Sequence, residues 1–508
     1  MDISLVDGIA FTLFILTVIG ISLYASRREE DSGDYFLAGR NLSWWLIGFS
    51  LIASNISTEH FVGMAGSGFG SLGMAVASYE WIAAITLVIV ALYLLPLYLK
   101  LGIYTMPEFL EHRYGVVARR VMAIFMLIAY LGIAIASVLY ASAVGLESIF
   151  GLDMIYGIWL IGILAGVYTI YGGLKAVVWS DLLQGAALLI GGVIVTVIGL
   201  GKVGGLSNFM AENADKMHVI LPADHPDIPW TAMVFAIWIP NFFYWGFNQF
   251  ITQRTLGAKS LAHGQNGIML AAAIKLFIPF IIVFPGIMAF QLYGAEITRG
   301  DEAYPVLIKN LLPAGLRGIM FAALFGAVMS SLDSMLNSAA TIWTMDIYKG
   351  AINPNADEAT TIRTGRITTG VLVVLGCLLA PIPGNFEGVF DFIQKAWGFV
   401  SPGIVAVFAV GLILRRTPEK AAVTAMLLGF VLYGVLLWLF PETAFLNHMA
   451  TTFGIQVALM VGWTVISPLA EPVRFEVKND IELEHSPIAK WIGVAVVLGT
   501  IALYIYFW

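Results

Sequence analysis

The sequence predicts an all-α protein that crosses a membrane about fourteen times. Three observations carry this expectation. Hydrophobic residues make up 59% of the 508 and charged residues 12%, with a mean hydropathy of +0.87, the balance of a chain surrounded by lipid. Apolar runs of about twenty residues, the length that spans a hydrocarbon layer of ~30 Å, recur from end to end. Basic residues gather in every second interval between those runs, as cytoplasmic loops do.

Taken in order, the first run, near residues 5–25, is too long for a signal-peptide core and has no basic stretch before it, so it reads as a retained helix. The next runs fall at 42–70, 74–98, 117–148, 153–172, 176–199, 230–256, 262–294, 306–347, 365–382, 386–413, 419–440, 444–468 and 488–508. Arg27/Arg28, Arg113/Arg119/Arg120, Lys175, Arg254/Lys259, Lys349/Arg363/Arg366, Arg415/Arg416/Lys420 and Arg474/Lys478/Lys490 mark the cytoplasmic intervals. Both termini then lie outside. The opposite loop 200–229 carries Glu212, Asp215, Asp224 and Asp227 against Lys202 and Lys216, whereas 295–317 fits the rule less well, with Arg299, Lys309 and Arg317.

No soluble domain interrupts the pattern, and Glu471 to Glu484, the most polar stretch, is a loop. Gly201-Lys202 lacks the upstream glycine of a phosphate loop, and Gly66 to Gly70 follows a membrane helix, so nucleotide-driven chemistry is not expected. The net charge of −7 identifies no partner, and neither a nucleic-acid partner nor an enzymatic activity is expected. Cys377, the only cysteine, cannot form an intrachain disulfide.

Polar residues at membrane depth are the informative exceptions. Lys275 has about a dozen helical residues on either side, about 18 Å, which is too far for its stem to reach the headgroups. A charge there costs on the order of 2.5–3.5 kcal/mol and needs a partner or a wet cavity. Two spans carry polar interruptions, Ser50 to His60 and Trp238 to Gln249, the second with Pro240. They are five spans apart and so run in opposite directions, the pattern of secondary transporters with unwound backbone at the midplane. Two merely kinked helices in a bundle are the alternative. Asn55, His60, Glu80, Asn241, Lys275 and Gln394 offer donors and acceptors, and Tyr244 offers a ring to stack on a sugar face. These suit a neutral, hydroxyl-rich ligand. No arginine falls deep in a span, which argues against an anionic one. The alternatives are that Asn55 or Asn241 caps a broken half-helix, that Gln394 joins helices and that Glu80 merely neutralises a nearby cation.

Longer strings now matter. The runs Ala53 to Gly63 (ASNISTEHFVG), Ala77 to Trp81 (ASYEW), Phe243 to Arg254 (FYWGFNQFITQR), Met329 to Ser338 (MSSLDSMLNS) and Thr344 to Tyr348 (TMDIY) closely resemble the sodium/glucose cotransporters of the sodium/solute symporter family. The resemblance covers nearly the whole chain. It implies a LeuT-type core of ten helices in two inverted five-helix repeats, about residues 40–415, with one extra helix before it (1–30) and three after (416–508). It implies alternating-access symport of Na⁺ with a hexose such as glucose or galactose across the cell membrane. By position it assigns sugar contacts to Asn55, His60, Glu80, Asn241, Lys275 and Gln394, an inner gate to Tyr244, and an outer gate to Met64, Tyr79 and Phe390.

The same resemblance gives the sodium ligands as the carbonyls of Ala53, Ile56 and Ala327 and the hydroxyls of Ser330 and Ser331. It also matches Asp181, Asp333 and Ser334 to a second cation site, where two close carboxylates would need either a second cation or one retained proton. His60 stands where some members carry glutamine, and Ala83 where some carry a hydroxyl, so the preferred hexose stays open. Symport of another polar solute, such as inositol or a nucleoside, and a sodium-dependent sensor or pore are the other readings.

Overall fold

The computed structural model describes residues 4–26, 31–57, 59–385, 389–477 and 481–508, with side chains at all of these except 59, 145, 148–150, 385 and 389–391. The described residues are almost entirely helical and form no strand. Ten helical stretches among them are long and apolar enough to cross a bilayer. One of these, Met154–Lys202, has 49 residues. Drawn straight it would measure about 74 Å at ~1.5 Å per residue, more than twice the apolar thickness. It is instead two helices meeting at Gly173, with φ 47° and ψ −150°, close to the Lys175 that marks this interval in the sequence. A Cβ at Gly173 would lie 2.3 Å from the Tyr35 carbonyl oxygen, so conformation and space both demand glycine.

Three more passes are broken helices, which completes the fourteen. The first, Trp44–Asn55, leaves helical geometry at Ile56 (ψ 95°) and resumes with Glu59–Met64 and Ala65–Phe69. The second comprises Trp230–Phe235, Trp238–Phe242 and Phe243–Phe247, then breaks at Asn248 (φ −86°, ψ 125°) before Gln249–Leu256. Pro240 is not at that break. It lies in the first turn of Trp238–Phe242, where its missing N–H is harmless. The third, Val389–Trp397 and Ser401–Ile413, reads from sequence as one helix at 386–413. The expected single span 306–347 is likewise divided, into Ala303–Leu311 and Leu316–Ile342, because Gly315 takes a φ of 86° between them.

The Leu42 amide donates to the Gly257 carbonyl (3.0 Å) and the Lys259 amide to the Leu42 carbonyl (3.2 Å). The start of the first broken helix therefore sits beside the end of the second, as antiparallel partners require. Trp44–Asn55 also packs closely on Leu261–Lys275. A Cβ on Gly48 would come 2.6 Å from Leu270 Cδ2, and one on Gly267 would come 2.7 Å from the Ile47 side chain, the close approach that small residues permit between membrane helices. Leu316–Ile342 is buried almost throughout, so its Ser330, Ser331, Asp333 and Ser334 all point into protein.

Two arginines that the sequence places in cytoplasmic loops are buried instead. Arg254 belongs to the site below. Arg113, 1% exposed, donates to the carbonyls of Gly411 (2.6 Å), Leu414 (2.6 Å) and Thr417 (3.2 Å) and so closes the end of Ser401–Ile413. Arg113→Met should strip these carbonyls of their donors at a cost of about 1–3 kcal/mol. The expected result is a lower melting temperature in detergent, and an unchanged one would show that the carbonyls find other partners.

Candidate functional site

The first two helix breaks open on one cavity. Asn55, Ser57, His60 and Met64 line it from the first, and Pro240, Asn241, Tyr244, Trp245 and Phe250 from the second. Tyr79 and Glu80 reach it from Ser78–Ile89, Ser331 and Met335 from Leu316–Ile342, and Ile393, Gln394 and Trp397 from Val389–Trp397. Tyr79 and Gln394 also line a second chamber, with Ser67, Ser71, Asp227 and Asp301, and so form the neck between the two.

Five of the six sequence-predicted polar contacts, Asn55, His60, Glu80, Asn241 and Gln394, line the cavity together. Lys275 does not open on it. The ammonium lies behind the wall, fully buried, and donates to Asn55 Oδ1 and Glu80 Oε2 with its nitrogen 5.0 Å from the centre of the Trp245 ring. Its role is to fix two cavity groups and to cancel the charge of one. His60 Nε2 lies 3.4 Å from Glu80 Oε1, while its Nδ1 is buried without a partner among the described residues. The Asn241 amide donates to the Ile237 carbonyl at 2.9 Å. Of the predicted gate residues, Tyr244, Met64 and Tyr79 line the cavity, and the Phe390 side chain lies outside the described residues.

The first break also supplies a cluster of oxygens. The Ile56 amide bonds to the Ile52 carbonyl (2.8 Å) at the end of the helix, where the final carbonyls lack a further helical turn of amides. Ser331 Oγ donates to one of them, Ser54 O, at 3.2 Å. Ala53, Ile56 and Ala327 are buried, and Ala327 lies one turn before Ser330 and Ser331 on the same helix. Ser330 is turned partly away, with its hydroxyl 2.5 Å from Asp181 Oδ1.

Behind this cluster sits a polar knot that the sequence reading only half anticipates. Asp181 accepts from Ser50, from Ser54 (3.1 Å) and from Ser330. Asp333 accepts from Tyr168 and lies near Ser180 (3.4 Å) and Ser334 (3.2 Å). A cationic side chain also enters the knot: Arg254, 3.1 Å from Asp181 and bonded to Ser334. Arg254 is therefore buried in the protein, although the sequence places it in a cytoplasmic interval. Its place near a helix end, before Gly257 and Lys259, makes it look like a loop residue. Because its charge is committed to Asp181, it gives an anionic ligand no free cation.

A model of the sodium:solute symporter family matches residues 35–429. The chain belongs to that family. It is a sodium-coupled transporter and not an enzyme, and its helices follow the LeuT-type plan of two inverted five-helix repeats. This symporter is 42% identical over 453 residues to a sodium/glucose cotransporter of Vibrio parahaemolyticus, covering 83% of each chain. It is 35% identical over 470 residues to sodium/myo-inositol cotransporter 2 of Mus musculus, covering 84% of this chain and 69% of that one. Among solved structures it overlays on the substrate-bound, outward-open state of a Na⁺-coupled sialic acid symporter with a TM-score of 0.84 at 20% identity, over 93% of this chain and 100% of that one.

Sequence reasoning about this symporter missed Trp245, Trp397 and Ser57 as cavity walls and Arg254 as a buried cation. Trp245 stands beside Tyr244 in a run already marked as interrupted, so aromatics flanking a break were an available signal. Trp397 had a weaker one: Gly398 follows it and Ser401-Pro402 opens the next helix, residues that commonly mark a helix boundary.

Proposed function

We propose that the symporter uses the inward fall of sodium to accumulate a neutral monosaccharide, a hexose such as glucose or galactose, by alternating access at the cell membrane. The observation that carries this reading is that the polar groups of the cavity wall are electrically balanced. Its one buried carboxylate, Glu80, is matched by Lys275, and the other polar groups are amides, hydroxyls and an imidazole, set among aromatic rings and the apolar Met64, Met335 and Ile393. Such a wall rewards hydroxyl groups and flat sugar faces, and it offers a carboxylate ligand no uncommitted cation. The similarity to a sodium/glucose cotransporter supports the same class.

In this reading sodium sits among the carbonyls of Ala53, Ile56 and Ala327 and the hydroxyls of Ser330 and Ser331, a hard cation among oxygens. It stabilises the break from which Asn55 reaches the sugar. Tyr244 closes the cavity inward, and Met64, Tyr79 and Phe390 close it outward, toward the chamber that holds Asp227 and Asp301. Both termini then face outside. Coupling is reciprocal, so sodium raises sugar affinity by the same factor that sugar raises sodium affinity.

The test is uptake of labelled hexose into proteoliposomes with and without an inward sodium gradient, competed with galactose, mannose, xylose and inositol. Accumulation above the external concentration, only with sodium, is the expected result. Accumulation competed by inositol alone would redirect the substrate assignment, and equilibration without accumulation would leave a pore or sensor. Within the pocket, Gln394→Ala should weaken hexose binding by about 1–3 kcal/mol, the loss of one buried polar partner. Sodium binding measured without sugar should change far less. Unaltered hexose affinity would remove Gln394 from the site.

A further inference from the structure

We propose that Tyr130 is a positioning residue for the inner gate: from a neighbouring helix its phenol caps the half-helix that follows the second break, and this borrowed cap parts when the cavity opens inward. The inference rests on the reading in which Tyr244 closes the cavity toward the inside. Gln249–Leu256 starts at Asn248, a residue type whose side chain ordinarily caps the helix it precedes by accepting one of the first free amides. Here it does not. Asn248 Oδ1 instead accepts from the Tyr130 hydroxyl, and the Phe250 amide, near the start of the half-helix, donates to the same Tyr130 oxygen at 3.1 Å.

The phenol is fully buried and serves both partners at once, giving its proton to Asn248 and a lone pair to Phe250. It stands at the first residue of Tyr130–Ile135, where the helix that begins with Val116–Ala129 widens into a π turn, a local distortion frequent at functional positions. Phe250 carries the effect to the gate. Its ring meets the Tyr244 ring edge-on at 5.3 Å and the Tyr130 ring at 6.1 Å, so the cap fixes the residue against which Tyr244 rests.

A second phenol holds the other side of the same break, where the Tyr98 hydroxyl donates to the Gly246 carbonyl at 3.0 Å. The two differ in what they join. Tyr98 lies on Leu95–Leu101, at the end of the pass that includes Ser78–Ile89, and Ser78–Ile89 packs on both Trp238–Phe242 and Leu261–Lys275. Tyr130–Ile135 packs instead on Leu316–Ile342 and Glu358–Leu379. The Tyr98 bond thus stays within one group of helices, whereas the Tyr130 bond runs between two, and rocking of one group against the other strains only the second.

The experiment measures access to the cavity from each side. In the full chain carrying Cys377→Ala, Met335→Cys places a thiol on the cavity wall, and a membrane-impermeant maleimide is applied to inside-out and to right-side-out membrane vesicles in sodium without solute. Adding Tyr130→Phe, which keeps the ring and removes the hydroxyl, should speed labelling from the cytoplasmic side by about ten-fold, the scale of a lost helix cap, and slow it from the outside. Rates that stay unchanged, or that rise on both sides as general loosening would make them, overturn the inference. Tyr98→Phe should alter neither rate, and a shift equal to that of Tyr130→Phe would mean that any loss at the break tips the balance, which overturns it as well. Tyr244→Ala tests the reading beneath: if it does not speed cytoplasmic labelling, the gate assignment fails, and if it does while Tyr130→Phe does not, this inference fails alone. Should Tyr130→Phe not fold, Asn248→Ala, which removes the acceptor of the phenol from the other side, is held to the same two rates.

Discussion

Replacing Lys275 with methionine should abolish sodium-driven solute accumulation and lower the melting temperature, and adding Glu80→Gln should restore much of the fold without restoring full transport. The pair is buried, with Lys275 fully inaccessible and Glu80 nearly so. Removing one partner of such a pair costs about 3–5 kcal/mol, because the other charge is stranded in a poor solvent for it. Neutralising both removes that penalty, so the double variant should be more stable than the lysine variant alone. Transport should stay impaired because Asn55 also loses the donor that orients its amide. The measurements are thermal melts of the three proteins and hexose uptake at saturating sodium. A lysine variant that melts at the wild-type temperature would mean that Glu80 finds another partner, and wild-type uptake would remove the ammonium from the working site.

Ser331→Ala should raise the sodium concentration for half-maximal uptake by on the order of ten-fold, with a correctly folded protein. The substitution deletes one hydroxyl and adds no bulk. The oxygen it removes reaches the Ser54 carbonyl at the end of the broken helix, so a sodium ion there would lose one of a small set of hard ligands, worth about 1–3 kcal/mol. The maximal uptake rate at high sodium should fall much less than the affinity. An unchanged sodium dependence would place the ion elsewhere.

The apolar periodicity and the alternation of basic intervals anticipate the fourteen passes, because a bilayer imposes both rules on any chain that crosses it. Lys275 was legible as a paired internal charge since a lysine stem cannot span a dozen helical residues. That it works from behind the wall was not legible, because helical spacing says which face a residue occupies but not which neighbour stands in front of it. Arg113 and Arg254 were misplaced for a related reason. A basic residue near the end of an apolar run looks the same in sequence whether it reaches solvent or turns inward to carbonyls and a carboxylate. The break at 398–400 was marked only by Gly398 and by Pro402 just beyond it, which fit a kink inside one span as well as a division of it.

The two backbone bonds that join Leu42 to Gly257 and Lys259 constrain how a path could open at that end of the two helices. They fasten the near ends of both broken helices into a single lever. Separating those ends would mean exposing amides and carbonyls that are now paired, at about 0.5–1.5 kcal/mol for each bond. While the fastening holds, the two ends cannot part from each other, and a passage toward that face would have to form along the flanks of the pair, between it and the helices packed beside it.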